Sequence, residues 1–274
     1  TGGLLSSTLT TIKDSSKVFK FGLIVYSNKS KINILHISKN VIKKYGAVSK
    51  EVCYSMVKNL IIDPNDEAPF IPYGCQTVNE SDITEVCSVL SSDWLTQGPK
   101  VTEFEQALCN KVGAKYATVV SSGTAALHLV GLAMGWQKGM VVLTTPLTFL
   151  ASANCILYAG ATPDFVDIDP VSYTIDPNQL EAKIRLLRSQ GKVIKAIVAV
   201  DYAGHPCDWI ALRYLANRYN FMLINDNCHA LGSKYYRSLK YSTKYADLVT
   251  QSYHTVKNIT TGEGGAVLTN NKYF

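Results

Sequence analysis

After about residue 115 the apolar positions fall into short β-branched runs, at 117–121, 141–145, 164–168, 194–200, 221–225, 247–251 and 266–269. Runs this short, bounded by Gly, Pro, Asn, Asp or Ser, predict strands. Between most of them the apolar residues recur at helical spacing, which predicts helices over 101–112, 124–134, 177–190 and 208–219. Strands alternating with helices predict an α/β fold. Its mainly parallel, seven-stranded sheet is covered by helices on both faces, with binding groups at strand ends and helix N-termini.

The pattern before residue 62 is different. A strand-like run at 21–26 and helical patterns around Val41 and Ile42 and over 52–60 suggest a small, partial α/β piece. The polar stretch Ile62-Asp63-Pro64-Asn65-Asp66-Glu67-Ala68-Pro69 carries two prolines and reads as a linker. The expected organisation is a first segment over 1–62, a linker over 63–68 and a larger domain over 69–274.

With 274 residues, 47% hydrophobic and 18% charged, the chain is long enough for one large or two smaller domains and is not of disordered composition. No apolar run reaches the roughly 18–20 residues a membrane span needs, so a soluble protein with no membrane partner is expected. The net charge of +6 is an N-terminal property: residues 1–67 hold ten lysines against five acidic residues, and the rest is nearly balanced. Those lysines are scattered, without arginine or interleaved aromatics, so they read as a solvated face and not as a nucleic-acid surface. Seven cysteines form no Cys-x-x-Cys pair and no leader opens the chain, which points to the cytoplasm with neither a disulfide framework nor a metal site.

Three stretches carry candidate chemistry. Ser121-Ser122-Gly123-Thr124-Ala125-Ala126 follows a predicted strand and opens a predicted helix, where free amides and the helix dipole favour a phosphate; an ordinary N-cap reads the same way. Neither a P-loop nor a Gly-x-Gly-x-x-Gly fingerprint is present. Asp226 ends the run at 221–225 on a carboxylate that can keep a ring nitrogen protonated, and His229 follows three residues on; a helix-capping Asp and a half-buried His are the plain alternatives. Lys257 lies in Ser252-Tyr253-His254-Thr255-Val256-Lys257, ahead of a glycine-rich turn. Among uncharged neighbours a lysine is partly desolvated, which favours the free amine that attacks a carbonyl, although a lone lysine is more often solvent-facing.

A phosphate cradle, a carboxylate for a ring nitrogen and an amine for an aldehyde are the three handles of pyridoxal phosphate. Residues 69–274 resemble the DegT/StrS family of sugar aminotransferases. The likeness runs from Phe70-Ile71-Pro72-Tyr73-Gly74 and Asp93-Trp94-Leu95-Thr96-Gln97-Gly98-Pro99 to Lys257-Asn258-Ile259-Thr260-Thr261-Gly262-Glu263-Gly264-Gly265. It implies the large domain of the fold type I transferases of pyridoxal phosphate. It also implies that Lys257 holds the cofactor covalently and shuttles the proton, that Asp226 pairs with the ring nitrogen, and that His229 lies near the ring. Thr124, Ala125 and Ser252 would hold the phosphate. Phe149 would stack on the ring, core packing being its alternative, and Thr96 and Gln97 would face the sugar, a structural turn being theirs. The motifs, with Asp201-Tyr202-Ala203-Gly204-His205-Pro206-Cys207-Asp208, look most like the pseudaminic-acid branch. That branch moves an amino group from glutamate to C4 of a UDP-linked 4-keto-6-deoxy-N-acetyl hexose.

The sequence departs from the family in places. Asn225-Asp226-Asn227-Cys228-His229 stands where the family usually has Glu-Asp-Ala-Ala/Cys-His, and His205 stands where Gln or Asn is common. Only residues 258–274 follow Lys257, so the family's small C-terminal domain is expected to be missing. Family members are homodimers whose sites also use the partner and that domain, and a non-catalytic fusion or truncation remnant is therefore the alternative reading. Residues 1–62 resemble the CinA C-terminal amidohydrolase domain through Thr1-Gly2-Gly3-Leu4-Leu5-Ser6, Val25-Tyr26-Ser27-Asn28 and Tyr45-Gly46-Ala47-Val48-Ser49, with Tyr26 and Lys31 at its site positions. Its nucleophilic serine would precede Thr1, so a remnant without nicotinamide-nucleotide amidohydrolase activity is expected.

Overall fold

A computed structural model of the chain describes residues 38–45 and 76–274. The expectations for 21–26, 52–60, the linker at 63–68, Phe70 to Gly74, and Tyr26 and Lys31 lie outside those residues. The chain divides into two compact units, Thr1–Tyr73 and Gly74–Phe274. In the first unit, helix α1 (Lys39–Tyr45) covers the expected helical pattern at Val41 and Ile42.

The second unit is a three-layer α/β/α domain. Its elements run α2 (Glu80–Leu90), α3 (Pro99–Val112), β1 (Tyr116–Val120), α4 (Gly123–Ala133), β2 (Met140–Thr144), α5 (Ala151–Tyr158), β3 (Thr162–Phe165), α6 (Pro177–Ser189), β4 (Val193–Val200), α7 (Trp209–Tyr219), β5 (Met222–Asp226), α8 (Tyr241–Tyr245), β6 (Leu248–Ser252) and β7 (Gly265–Thr269). All seven expected strands are present, six within one residue of their expected bounds and β3, expected over 164–168, up to three residues early, since boundaries are softer than existence. The sheet order is β1-β7-β6-β5-β4-β2-β3. Neighbours from β6 through β3 are parallel, whereas β7 lies antiparallel between β1 and β6.

Strand alternation explains the two cores. Along β4, Ile197 and Ala199 face one side, packing with Leu180 and Ile184 of α6 and Trp209 and Leu212 of α7. Ala196 and Val198 face the other, with Leu127 and Val130 of α4 and Cys155 and Ile156 of α5. Helix starts obey side-chain capping: Asn79 and Asp82 form a reciprocal capping box on α2, Asp176 caps α6 and Asp208 caps α7. Pro99 and Pro177 open α3 and α6, where a missing N–H costs nothing. Among the described residues no helix is long and apolar enough to cross a membrane.

Candidate active site

The turn from β1 into α4 builds one wall of the site. Ser122 is extended, and its Oγ accepts from the Ala125 amide at 3.1 Å. The cap therefore takes up the Ala125 N–H, and the amides of Gly123 and Thr124 have no protein acceptor among the described residues. Gly123 is required by contact: a Cβ there would sit 2.7 Å from Ser252 Cβ and 3.2 Å from Cys228 Sγ. A Cβ on Gly265 would collide with the Ser122 backbone. These two glycines let the ends of β6 and β7 close on the start of α4, which brings Ser252 beside the helix opening. Amides without a protein acceptor, the positive end of a helix and the adjacent Ser252 hydroxyl give this turn a chemistry that suits an anion.

The second wall is the end of β5. Asp226 is buried, its Oδ2 accepting from Ser152 Oγ at 2.6 Å and its Oδ1 from the Cys228 amide at 3.3 Å. No lysine or arginine among the described residues forms an ion pair with it. Ser152 in turn lies 2.7 Å from Thr148 Oγ1. Neither hydroxyl was anticipated from the sequence; their four-residue spacing is the one legible signal, and it does not point to a carboxylate 74 residues away.

His229 is half-buried, and its Nδ1 accepts from the Ala203 amide at 3.3 Å. Ala203 holds that amide in place from a left-handed conformation (φ 52°). Burial, and then the charge of Lys257, push the imidazole below its ordinary pKa, against a smaller upward pull from Asp226. The ring is thus neutral near pH 7, with the proton on Nε2. Lys257 is half-buried on the turn after β6, its amide bonded to the His254 carbonyl at 2.9 Å. Its charge and that of Asp226 both act on His229 and Cys228, in opposite directions. Burial and the Asp226 charge hold the Cys228 thiol well above its usual range, so it stays protonated and is not a nucleophile.

Two expected groups stand apart. Phe149 is 69% exposed beside the start of α5, so it does not pack in the core. Thr96 and Gln97 are exposed on the loop between α2 and α3, and neither makes a side-chain hydrogen bond to another described residue. Gln97 adopts a left-handed backbone (φ 52°), as a turn requires.

On the opposite face of the sheet, Asp201 at the end of β4 is completely buried. It accepts from the Cys207 amide, Trp209 Nε1, Asn225 Nδ2, Asn227 Nδ2 and the Tyr241 hydroxyl, at 2.8–3.1 Å. Burial raises its carboxyl above the usual range, and the donors oppose that rise. Asn225 and Asn227, the two departures flanking Asp226, therefore belong to this second network and point away from the site.

Residues 76–274 match the DegT/DnrJ/EryC1/StrS aminotransferase family. The chain belongs to that family. Residues 1–66 match the CinA C-terminal domain. The chain is 46% identical over 202 residues to the UDP-4-amino-4,6-dideoxy-N-acetyl-beta-L-altrosamine transaminase of Campylobacter jejuni, covering 74% of this chain and 52% of that protein. The DegT/StrS-type domain is also similar to Helicobacter pylori PseC, an aminotransferase involved in the biosynthesis of pseudoaminic acid (TM-score 0.66, 36% identity, covering 73% of this chain and 52% of that one). It resembles the putative sugar aminotransferase Spr1654 of Streptococcus pneumoniae in its PLP form (TM-score 0.64, 31% identity, covering 74% and 54%). The chain spans about half the length of the curated relatives it matches.

Proposed function

We propose that this chain binds pyridoxal phosphate and uses it to move an amino group from glutamate to C4 of a UDP-linked 4-keto-6-deoxy amino sugar. The observation that carries this reading is that neighbouring strand ends hold a helix start suited to an anion, a buried carboxylate with no lysine or arginine paired to it among the described residues, and the turn that carries Lys257. The groups fit the cofactor chemically. A phosphate suits the Gly123 and Thr124 amides with the Thr124 and Ser252 hydroxyls, a ring N–H suits Asp226, and an aldehyde suits a primary amine. The named activities of the relatives support the choice of sugar.

Bound pyridoxal phosphate supplies the electron sink for the carbon that gains or loses the amino group. The rest falls to the protein. Lys257 Nζ would be the amine that holds the aldehyde and would carry the proton at the reacting carbon. Asp226 accepts the ring N–H and keeps that nitrogen protonated. The start of α4 and the Ser252 hydroxyl orient the phosphate. Phe149 covers a ring face, and neutral His229 offers Nε2–H beside it. Thr96 and Gln97 serve the sugar. A homodimer in the cytoplasm belongs to the same reading, supported by exposed apolar side chains on α4 and α5 such as Leu129, Leu132 and Leu157.

The test is an absorbance spectrum of the purified chain with pyridoxal phosphate, before and after glutamate. A band of lysine-bound cofactor that glutamate converts to the amine form is expected, and Lys257→Ala is expected to lose the band while keeping the fold. A wild-type chain that shows no band sinks the proposal and leaves the non-catalytic reading.

A further inference from the structure

Two hydroxyls between α5 and β5 have no place in the function proposed above, and their geometry gives them one. Thr148 Oγ1 lies 2.7 Å from Ser152 Oγ, and Ser152 Oγ lies 2.6 Å from Asp226 Oδ2. Ser152 Oγ is the donor to Asp226 Oδ2, so its single hydroxyl proton is committed to that bond. Its lone pair then takes the proton of Thr148. The direction of the chain is fixed, from Thr148 through Ser152 to Asp226.

Both inner members are shielded from water, Ser152 at 0% and Asp226 at 4% exposure, so no solvent bond replaces the Ser152 donor if it is lost. A carboxylate has a broad, roughly two-fold preference about its terminal torsion, so Asp226 without a donor on Oδ2 is free to turn its plane. With Oδ2 engaged, the plane is set. Oδ1, at the long end of hydrogen-bonding distance from the Cys228 amide (3.3 Å), is left to receive a ring N–H. The same short stretch carries Phe149, whose carbonyl accepts from the Ser152 amide at 3.1 Å. One turn of chain thus supplies both the group that would cover a ring face and the donor that aims the carboxylate at the ring edge.

We infer that Ser152 is a positioning residue for Asp226, and that Thr148 polarises Ser152 and ties the carboxylate to the Phe149 loop. The inference rests on the proposed cofactor site, and its experiment separates the two. Chain labelled with 13C at the aspartate carboxyl carbons is prepared as wild type, Ser152→Ala, Ser152→Thr and Thr148→Val, with Asp226→Asn to assign the signal. Without cofactor, the Asp226 resonance is expected to move in Ser152→Ala and to return in Ser152→Thr. Titration with pyridoxal phosphate is expected to show roughly tenfold weaker binding in Ser152→Ala, the loss of one charge-assisted hydrogen bond. Ser152→Thr is expected within about threefold of wild type, because it keeps the hydroxyl. Thr148→Val leaves the buried serine in place and is expected to lose about two- to threefold, a fraction of a hydrogen bond, so it reads the same relay should Ser152→Ala fail to fold.

An unmoved Asp226 resonance together with wild-type affinity in Ser152→Ala overturns the inference and leaves the proposed function standing. Equal losses in Ser152→Thr and Ser152→Ala overturn it as well, since space and not the hydroxyl then matters. A wild-type chain that takes up no pyridoxal phosphate removes the proposed function, and the purpose assigned to Ser152 falls with it.

Discussion

Asp201 accepts five hydrogen bonds and pairs with no cation among the described residues, so its stability depends on its neighbours being donors. That requirement explains the asparagines at 225 and 227, where the family resemblance places Glu and Ala. A carboxylate at 225 would face Asp201 in a water-free interior. Asn225→Asp is expected to cost about 2–4 kcal/mol at neutral pH, and Asp201→Asn is expected to restore much of it by turning the pair into amide and carboxylate. Urea unfolding of the two single variants and the double variant measures that coupling. His229 gives a pH dependence of known sign. Its folded pKa lies below its unfolded one of about 6.5, so as pH falls through that value the unfolded chain takes up the proton first and stability drops. Above about pH 7.5 the residue is neutral in both states and contributes almost nothing to the slope. His229→Asn is expected to flatten the loss of stability between about pH 7 and pH 5, measured as unfolding midpoints across that range.

The start of α4 shows how an element depends on absent atoms. Gly123 is helical and needs no special φ; what it needs is room, because its missing Cβ is where Ser252 sits. Gly123→Ala is expected to destabilise the domain by about 1–3 kcal/mol and to weaken phosphate-dependent cofactor binding, since β6 must back away from the cradle. Thermal unfolding and titration with inorganic phosphate check both parts. Helices differed in how well the sequence announced them. Those at 99–112 and 209–219 carry a clear apolar stripe and end on left-handed Gly113 and Asn220. By contrast α5 is small and apolar on most faces and α8 has five residues, so neither offers a periodic stripe to read, while α2 carries one at Ile83, Val86, Cys87 and Leu90 but buries none of its residues against the described ones.

Across the whole second unit, the site occupies the strand ends on the side of α4 and α5, while the Asp201 network fills the side of α6, α7 and α8. The sheet separates them. Because Asp226 and Asn225 point to opposite faces, changes to the candidate-site groups and changes to the Asp201 group are expected to act independently except through the shared backbone of β5. Lys257 belongs to neither core cluster. The loss of cofactor band expected in Lys257→Ala should therefore come with an unfolding midpoint close to wild type, and circular dichroism during heating checks this.

Periodicity alone determined the layer order of this protein: a run too short for a helix, repeated between helical stripes, has few ways to bury itself other than a covered sheet. The order of Ser122 to Ala125, Asp226 and Lys257 along the chain likewise carried the family and its cofactor chemistry. Tertiary structure decided what lies far apart in sequence. The antiparallel insertion of β7 between β1 and β6 follows from which edges meet, and no local pattern records strand direction. Ser152 reached Asp226, and Asn225 reached Asp201, only because the sheet set their strands and helices side by side. Hydrogen bonds of this kind depend on angles and on a few tenths of an ångström, which packing fixes and composition does not.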